Sequence, residues 1–144
     1  MTKMVDISGK DQVKRKSKAT GFIKLESESV ERIKSGNVEK GDVLSVAQTA
    51  GIMAVKNTPG IVPLTHPIPI TGADIDFEFE DEGIKVTVNV ESKGQTGVEM
   101  EALTGLMSTL LTIWDMVKFY EKDGEGQYLN TRIEDIKVLE KVKE

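Results

Sequence analysis

The sequence predicts an α+β fold in which helices cover one face of an antiparallel sheet. Three observations support this fold class. Residues 73–92 (ADIDFEFEDEGIKVTVNVES) contain two alternating runs around a Gly-containing turn, which is typical of a β-hairpin. Apolar residues recur at helical spacing before this hairpin, in residues 43–58, and after it, in residues 97–118. The element order β-α-α-β-β-α-β is that of a two-layer sandwich.

The chain is expected to begin with a flexible arm and to continue as one domain. Residues 1–20 are polar and basic, as solvated tails are. Residues 21–144 are predicted to form a single α+β domain, because a chain of this length can bury a sizeable core. Residues 21–27 (GFIKLES) alternate apolar and polar side chains, which predicts a half-buried strand.

Two helices should follow this first strand. The stretch SESVERIKS suits a short helix, with Ser27 or Ser29 as its N-cap and Gly36 just beyond its end. Asp42 is a suitable N-cap for the second helix, whose apolar pattern then runs to the position where Pro59 and the next glycine end it.

The remaining elements include one loop with unusual chemistry. Three prolines lie in the segment IVPLTHPIPITG, which excludes a helix or a central strand there and predicts an extended, rigid loop. The hairpin that follows presents two apolar faces, formed by Ile75, Phe77 and Phe79 on one strand and by Ile84, Val86, Val88 and Val90 on the other. Residues 133–144 (IEDIKVLEKVKE) fit an edge strand or a short helix, and we favour the strand.

Composition excludes several classes of function. A net charge of −5 argues against nonspecific nucleic-acid binding, although a small basic pocket for a phosphorylated metabolite stays compatible with it. The absence of cysteine excludes a disulfide framework and a thiolate nucleophile. The N-terminus shows no signal peptide, and the longest apolar run, residues 106–114, is far shorter than the roughly 20 residues of a membrane-spanning helix. We therefore expect a cytoplasmic protein without membrane or nucleic-acid partners.

Two polar residues outside the long apolar helix could carry chemistry. His66, the only histidine, lies in the string PLTHP. A lone histidine is more often a structural hydrogen-bonding group, but the flanking prolines favour a side chain held in a preset place. One histidine without cysteine offers too few ligands for zinc, so no metal site is expected. Lys40 precedes the second helix, where its charge would favour phosphate, although an exposed lysine is the simpler interpretation.

The turn KGQTG and the two glutamates after it give only weak signals. The turn resembles a phosphate-binding loop, but it lacks the Walker pattern and fits an ordinary strand-to-helix connection equally well. Glu99 and Glu101 would point the same way in an extended segment and diverge by about 200° on a helix. As first-turn carboxylates they could simply stabilise the helix dipole.

Asp115 and Lys118 share one face of the long helix, since they are spaced i, i+3. They could form a surface ion pair of little energetic value. Their strongly apolar neighbours instead predict a partly buried pair with both pKa values shifted, which acid–base chemistry requires. The distance from Glu101 to Asp115 is roughly 21 Å along a helix, so one chain cannot bring both ends into one pocket. A second subunit would then complete the site, and the helix's wide apolar surface also favours a homo-oligomer.

Three strings, in this order, resemble one known family: KGDVLSVAQTAGIMAVKNT, IVPLTHPIPI and GQTGVEMEALTGLMSTLLTIWDMVK. The family is the cyclic pyranopterin monophosphate synthases, also called molybdenum cofactor biosynthesis protein C. With MVDIS near the N-terminus, the resemblance runs from about Met4 to Leu139. It implies a ferredoxin-like α+β fold in a dimer-based hexamer, with active sites between subunits. It also implies a lyase of molybdopterin biosynthesis that converts 3′,8-cyclo-7,8-dihydro-GTP to cyclic pyranopterin monophosphate and pyrophosphate.

The resemblance assigns roles to residues of this chain. Asp115, Lys118 and Lys40 match the family's catalytic residues. Positions that contact the substrate or reach the site match Leu64, Thr65, His66, Met100, Glu101, Glu99, Arg15, Asp6 and Lys56. The implied partners are a nucleotide-derived substrate and other copies of the chain. No cofactor is required, and Mg²⁺ bound with the triphosphate is compatible with this assignment.

The chain departs from the family pattern at three places. Thr65 stands where the family usually has cysteine, so this residue cannot be an essential thiol. Gln95 replaces a common lysine, which weakens a charge-based phosphate role for the turn. The sequence ends in VLEKVKE without the Lys- and Gly-rich tail that is frequent in the family. The tail's basic contact is therefore expected to be missing or to be replaced by Lys141 or Lys143.

Two other functions stay open from the sequence. A non-catalytic nucleotide-binding oligomeric module would bind a GTP-like ligand without releasing pyrophosphate. A purely structural oligomer would use the charged residues as interface salt bridges. Polar residues from four separated segments exceed what interface stability needs, which favours the enzyme.

Overall fold

The computed structural model describes residues 1–144 and has the predicted α+β architecture. The elements in chain order are β1 (Val13–Lys24), α1 (Ser27–Ser35), α2 (Val43–Lys56), α3 (Thr58–Ile61), β2 (Ile70–Glu80), β3 (Gly83–Gly94), α4 (Glu99–Glu121) and β4 (Arg132–Lys143). The four strands form one sheet in the order β2-β3-β1-β4, and every neighbouring pair is antiparallel. The prediction of an edge strand at the end of the chain is confirmed. No helix is both long enough and apolar enough to cross a membrane.

The β2–β3 hairpin confirms the predicted apolar faces of its two strands, which lie opposite each other. Phe77 lies opposite Val86, and the flanking apolar pairs continue the same face along both strands. The turn is one residue shorter than predicted, because Gly83 already pairs with Glu80. Glycine is needed at this position, since a Cβ there would collide with the Phe22 ring and a β1 backbone carbonyl.

The helices α2 and α4 cover one face of the sheet and enclose the core. α4 packs on β1 and β3, whereas α2 packs on α4 and β2. The two helices approach closely where Gly51 of α2 meets Gly105 of α4. A Cβ on Gly105 would lie 3.1 Å from the Gly51 carbonyl oxygen and would collide with Val55. The largest fully buried side chains of this core come from the sheet, α4 and the residue after β1, and they are Ile23, Leu25, Ile84, Leu106, Leu110 and Ile113.

The N-terminal arm is shorter than predicted, because β1 begins at Val13 and not near Gly21. Residues 13–20 run between β3 and β4 in the middle of the sheet. These residues form a strand in which alternate residues are buried, although their composition is polar. The buried polar side chains form hydrogen bonds. Ser17 donates a hydrogen bond to Glu99, and the Thr20 hydroxyl donates to the Val86 carbonyl oxygen at 3.0 Å.

The helix α1 has the predicted bounds but a different N-cap. Glu26 occupies the cap position, and neither predicted serine caps the helix. The Ser29 hydroxyl, completely buried, donates instead to the carboxylate of Glu121 at the end of α4. That carboxylate also accepts the Glu26 N–H, so α4 supplies the group that a local cap would otherwise provide. Gly36 ends the helix in the left-handed conformation, with φ of 71°.

The start of α2 is as predicted, and its end is not. Asp42 is the N-cap, and its carboxylate accepts the Ser45 N–H at 3.1 Å. Pro59 lies within the first turn of the short helix α3, where it is tolerated, and α2 has already ended at Lys56. The proline-rich segment that follows, residues 62–69, has no helix or strand, in agreement with the predicted loop.

Candidate active site

Three of the predicted site residues form a compact cluster beside the C-terminal half of α4. The Lys118 ammonium lies 3.0 Å from one Asp115 carboxylate oxygen, and the Lys40 ammonium lies 3.0 Å from the other. Lys40 also donates to the backbone carbonyl oxygen of Asp115 at 3.1 Å. The i, i+3 spacing on α4 aligns the first pair, and the connection between α1 and α2 brings Lys40 to it. The cluster has a net positive charge.

The prediction that the Asp115–Lys118 pair is partly buried is wrong for the single chain. The side chain of Asp115 is 53% exposed and that of Lys118 is 44% exposed. The pair lies on the side of α4 that faces away from the sheet, whereas Ile113 and Val117 of the same helix are buried against it. Apolar neighbours in sequence therefore did not mean burial, because they lie on another face of the helix.

The pKa values of the pair shift in opposite directions. Hydrogen bonds from Lys118 and then from Lys40 lower the pKa of Asp115 below its ordinary value of 3.8. The same contact with Asp115 raises the pKa of Lys118 above 10.5. Both shifts favour the charged forms of Asp115 and Lys118, so these two residues form an ion pair at neutral pH.

A second group of predicted site residues surrounds a cavity of about 310 Å³ at the N-terminal end of α4. Its walls come from the proline-rich loop, the first turn of α4 and the N-terminal segment. The predicted residues that line it are Leu64, Thr65, His66, Glu99, Met100 and Glu101. Thr65 donates its hydroxyl to the Val62 carbonyl oxygen at 2.8 Å, which stabilises the turn that presents His66.

The two glutamates of this cavity have different environments. Glu99 accepts a hydrogen bond from Ser17 at 3.4 Å, and Lys141 lies 3.6 Å from its other oxygen. Glu101 is only 3% exposed and accepts no hydrogen bond from another side chain. Burial raises the pKa of Glu101 above its ordinary value of 4.5, and the charge of Glu99 adds to this rise. One carboxylate is therefore paired with a cation, and the other tends to hold a proton.

The N-terminal segment closes one side of the same cavity. Lys3, Val5, Ile7 and Lys10 all line it. The Gln95 side-chain amide donates to the Lys10 carbonyl oxygen at 3.0 Å, so Gln95 anchors this segment. Asp6 accepts the Ser8 N–H at 2.8 Å, and this contact lowers the pKa of Asp6, with a smaller effect from the nearby His66.

Three predicted residues, Asp6, Arg15 and Lys56, belong neither to the Lys40 cluster nor to the lining of this cavity. Arg15 lies in β1 and not in a mobile arm; it is 8% exposed, and its Nε donates to the Gly94 carbonyl oxygen at 3.1 Å. This hydrogen bond fixes the last residue of β3, which lies within the KGQTG turn. Lys56 is the exposed last residue of α2 and forms no ion pair. Contacts of Asp6, Arg15 and Lys56 with substrate stay predictions.

Sequence reasoning underestimated the lysines around the second group. Lys141 was expected only as one of two replacements for a missing tail, and Lys3 and Lys10 were not singled out. In the structure β4 pairs with β1 so that Lys141 lies opposite Ser17. That register could not be read from the sequence, since it contains two irregularities along the pair.

The two groups lie at opposite ends of α4 and line separate cavities. Lys40 and Lys118 line a surface cavity together with Glu39, Met116, Phe119, Tyr120 and Lys122. The other cavity contains none of these residues. The helical rise over the interval from Glu101 to Asp115 separates the groups by roughly 21 Å. No group of three or more His, Cys, Asp or Glu side chains could hold a metal ion.

Comparison with known proteins identifies the family of this fold and these motifs. The sequence model of the MoaC family matches residues 4–143. The chain is 59% identical over 141 residues to the probable cyclic pyranopterin monophosphate synthase of Thermococcus kodakarensis, which covers 98% of this chain and 90% of that protein. A protein of the same description from Pyrococcus horikoshii is 60% identical over 141 residues, which cover 98% and 89% of the two chains. One from Methanococcoides burtonii is 57% identical with the same coverage, 98% and 89%. The chain therefore belongs to the MoaC family, as the resemblance of its motifs implied.

Proposed function

We propose that the chain is a cyclic pyranopterin monophosphate synthase of molybdenum cofactor biosynthesis. It is a lyase that converts 3′,8-cyclo-7,8-dihydro-GTP to cyclic pyranopterin monophosphate and releases pyrophosphate. The observation that carries this proposal is the cluster of Lys40, Asp115 and Lys118, which brings together residues from separate elements at the family's catalytic positions. The description of the relatives from Thermococcus kodakarensis and Pyrococcus horikoshii agrees with it.

Charge stabilisation is the role that best fits the lysines of this cluster. The contact with Asp115 raises the pKa of Lys118, and ammonium groups stabilise the negative charge that develops on a departing pyrophosphate. Asp115 holds the two ammonium groups in place before substrate arrives. A triphosphate would compete with Asp115 for them, which would free the carboxylate for a proton or a substrate hydroxyl. Proton exchange by the pair therefore depends on substrate binding.

Glu101 is better suited to proton transfer in the free enzyme. Its raised pKa keeps part of its population protonated at higher pH than an exposed glutamate. A neutral carboxyl can donate a hydrogen bond to a ring nitrogen or a carbonyl oxygen of the purine-derived substrate. Glu99, paired with Lys141, would orient the base or ribose as an acceptor. His66 faces the same cavity from the proline-rich loop.

A shared site between two chains follows from the geometry of α4. The helix carries the two groups at its ends, and these ends lie too far apart for one substrate. A second copy that places its Glu99 end near the Asp115 end of the first would complete the site. Several large apolar side chains of α2 and α4 are exposed in the single chain and could be buried by such a copy, namely Val46, Met53, Met107, Leu111 and Phe119. These observations support an interface between two copies of the chain, and the proposed dimer-based hexamer rests on the family resemblance. The strand order β2-β3-β1-β4 supports the ferredoxin-like description.

The substitution Asp115→Asn tests this function. The variant keeps the shape of the side chain but removes the negative charge that organises both lysines. We expect a loss of about 10²- to 10³-fold in turnover of the cyclised substrate, measured as pyrophosphate released and product formed, while the fold and oligomer are retained. Turnover near that of the wild type would contradict the assignment. A wild-type protein that binds the substrate and releases no pyrophosphate would instead be the non-catalytic nucleotide-binding module.

A further inference from the structure

Lys40 reaches the cluster from the connection between α1 and α2, residues 36–42, so this connection must be fixed for the cluster to form. Val38 is buried at 8% exposure and anchors its middle. Gly41, with φ of 115°, provides the left-handed residue that lets the chain turn into α2. Neither feature touches Lys40 itself, whose long side chain is exposed and has several rotatable bonds.

A tyrosine of α4 holds the backbone next to this lysine. The N–H of Glu39, the residue before Lys40, donates to the Tyr120 hydroxyl oxygen at 2.9 Å. The guanidinium of Arg32 lies over the Tyr120 ring, 4.4 Å from its centroid. Arg32 also donates to the Asn37 carbonyl oxygen at 3.2 Å. Tyr120 and Arg32 together thus contact the connection at two backbone positions.

Tyr120 also has a fixed relation to the other members of the cluster. It follows Lys118 by two residues and Asp115 by five on the same helix, so α4 sets all three positions together. Its ring is partly buried and packs against the core, which leaves the hydroxyl oxygen as the group directed at the connection. The hydrogen bond from Glu39 to Tyr120 therefore fixes the backbone next to Lys40 relative to α4, the helix that carries Asp115.

We propose that Tyr120 is a positioning residue of the synthase, and that its hydroxyl oxygen holds the Lys40 ammonium on Asp115 through the backbone of Glu39. The proposal rests on the proposed function only in its catalytic consequence. If the connection were mobile, the Lys40 ammonium would contact Asp115 in only part of the population. The cluster would then be incompletely organised when substrate binds. The Tyr120 hydrogen bond raises the occupancy of the organised state.

The test uses Tyr120→Phe in the full-length protein, with Ser35→Ala as the matched control. Phenylalanine keeps the ring, its packing and its contact with Arg32, so the variant should fold. Ser35→Ala also removes one hydroxyl hydrogen bond, to the Arg32 carbonyl oxygen at 3.4 Å, from the end of α1 and leaves Glu39 untouched. The first readout is the pKa of the Asp115 carboxyl, followed by carbon NMR. The second is kcat/KM for the cyclised substrate.

In Tyr120→Phe we expect the pKa of Asp115 to rise toward its ordinary value, because Lys40 is one of two lysines that lower it, together with Lys118. We expect kcat/KM to fall about fivefold, the effect of one lost hydrogen bond on the organised population. Ser35→Ala should match the wild type in both readouts. An unchanged Asp115 pKa in Tyr120→Phe would overturn the proposal, as would an equal change in both variants. If the wild type itself releases no pyrophosphate, the proposed function fails, and the Asp115 titration alone still decides the role of Tyr120.

Discussion

Glu101 and Asp115 are carboxylates of the same helix, yet their pKa values move in opposite directions. Glu101 is buried without a cation, which penalises its charged form. Asp115 is exposed and accepts hydrogen bonds from two lysines, which favours its charged form. A single helix thus provides a carboxyl that tends to keep its proton and a carboxylate that holds cations. Their surroundings, and not their residue type, set these roles.

The raised pKa of Glu101 makes folding stability depend on pH. Below its ordinary value of 4.5 the residue is protonated in both folded and unfolded states. As the pH rises through the higher pKa of the folded state, the unfolded state releases the proton first, and stability falls. Glu101→Gln removes this dependence, and we expect the variant to be more stable than the wild type by about 1 kcal/mol at neutral pH. Urea denaturation at pH 5 and pH 8 measures the difference.

The control for this prediction is Glu125→Gln. Glu125 is exposed and lies outside the helices and strands, so its neutralisation should change stability little at either pH. A Glu101→Gln stability gain that is the same at both pH values would contradict the explanation by burial.

At the residue scale the sequence predicted which of these side chains pair better than it predicted their exposure to solvent. The i, i+3 spacing was enough to pair Asp115 with Lys118. Their exposure was mispredicted, because the apolar residues around them in sequence face the sheet. The contact between Lys40 and Asp115 could be expected only through the family resemblance, since the two residues are 75 positions apart in the sequence.

The helix α4 is the element on which the molecule is organised. Its buried residues pack on the sheet, its two ends carry the two groups of site residues, and Gly105 lets α2 approach it closely. The carboxylate of Glu121 at its end accepts hydrogen bonds from Ser29, Thr131 and the Glu26 backbone, which ties α1 and the start of β4 to the same helix. A shift of α4 would therefore disturb the core and both groups.

Gly105→Ala should weaken the contact between α2 and α4. A Cβ would collide with Val55 and lie 3.1 Å from the Gly51 carbonyl oxygen, so the helices must separate. Overpacking of this kind costs about 1–3 kcal/mol, which the better helix propensity of alanine offsets only in part. We expect a lower free energy of unfolding in chemical denaturation. Gly124→Ala is the matched control, because nothing lies within 4 Å of its added Cβ. Equal stability of the two variants would contradict the close helix contact.

The elements with strong periodicity were predicted well, and the elements made of polar residues were not. The hairpin and the two long helices carry enough apolar residues for their period to be read. The first half of β1 does not, because residues such as Ser17 and Thr20 are buried through hydrogen bonds and not through apolar side chains. The start of α1 was also mispredicted because of a hydrogen bond between distant residues, since the carboxylate that accepts the Glu26 N–H belongs to Glu121.

The whole molecule carries the two groups of predicted site residues toward opposite ends of α4. Two cavities with different chemistry, one basic and one lined by glutamates and His66, remain separate in a single chain. The exposed apolar side chains of α2 and α4 provide surface that a second copy could cover. The sequence predicts a second copy from the length of the helix and from its wide apolar surface. It could not determine which surfaces meet, because contacts between copies leave no periodic signal.

The most direct test of a site shared between two chains is complementation between inactive variants. Asp115→Asn removes the organising carboxylate of one half, and Glu99→Gln alters the other half. If the two are co-expressed with different tags, a mixed pair contains one site with both changes and one site with neither. With random pairing, about a quarter of all sites are then intact. We predict recovery of pyrophosphate release to about a quarter of the wild-type activity per chain, where each variant alone is inactive. Mixed oligomers that release no more pyrophosphate than the two variants purified separately would contradict the shared site.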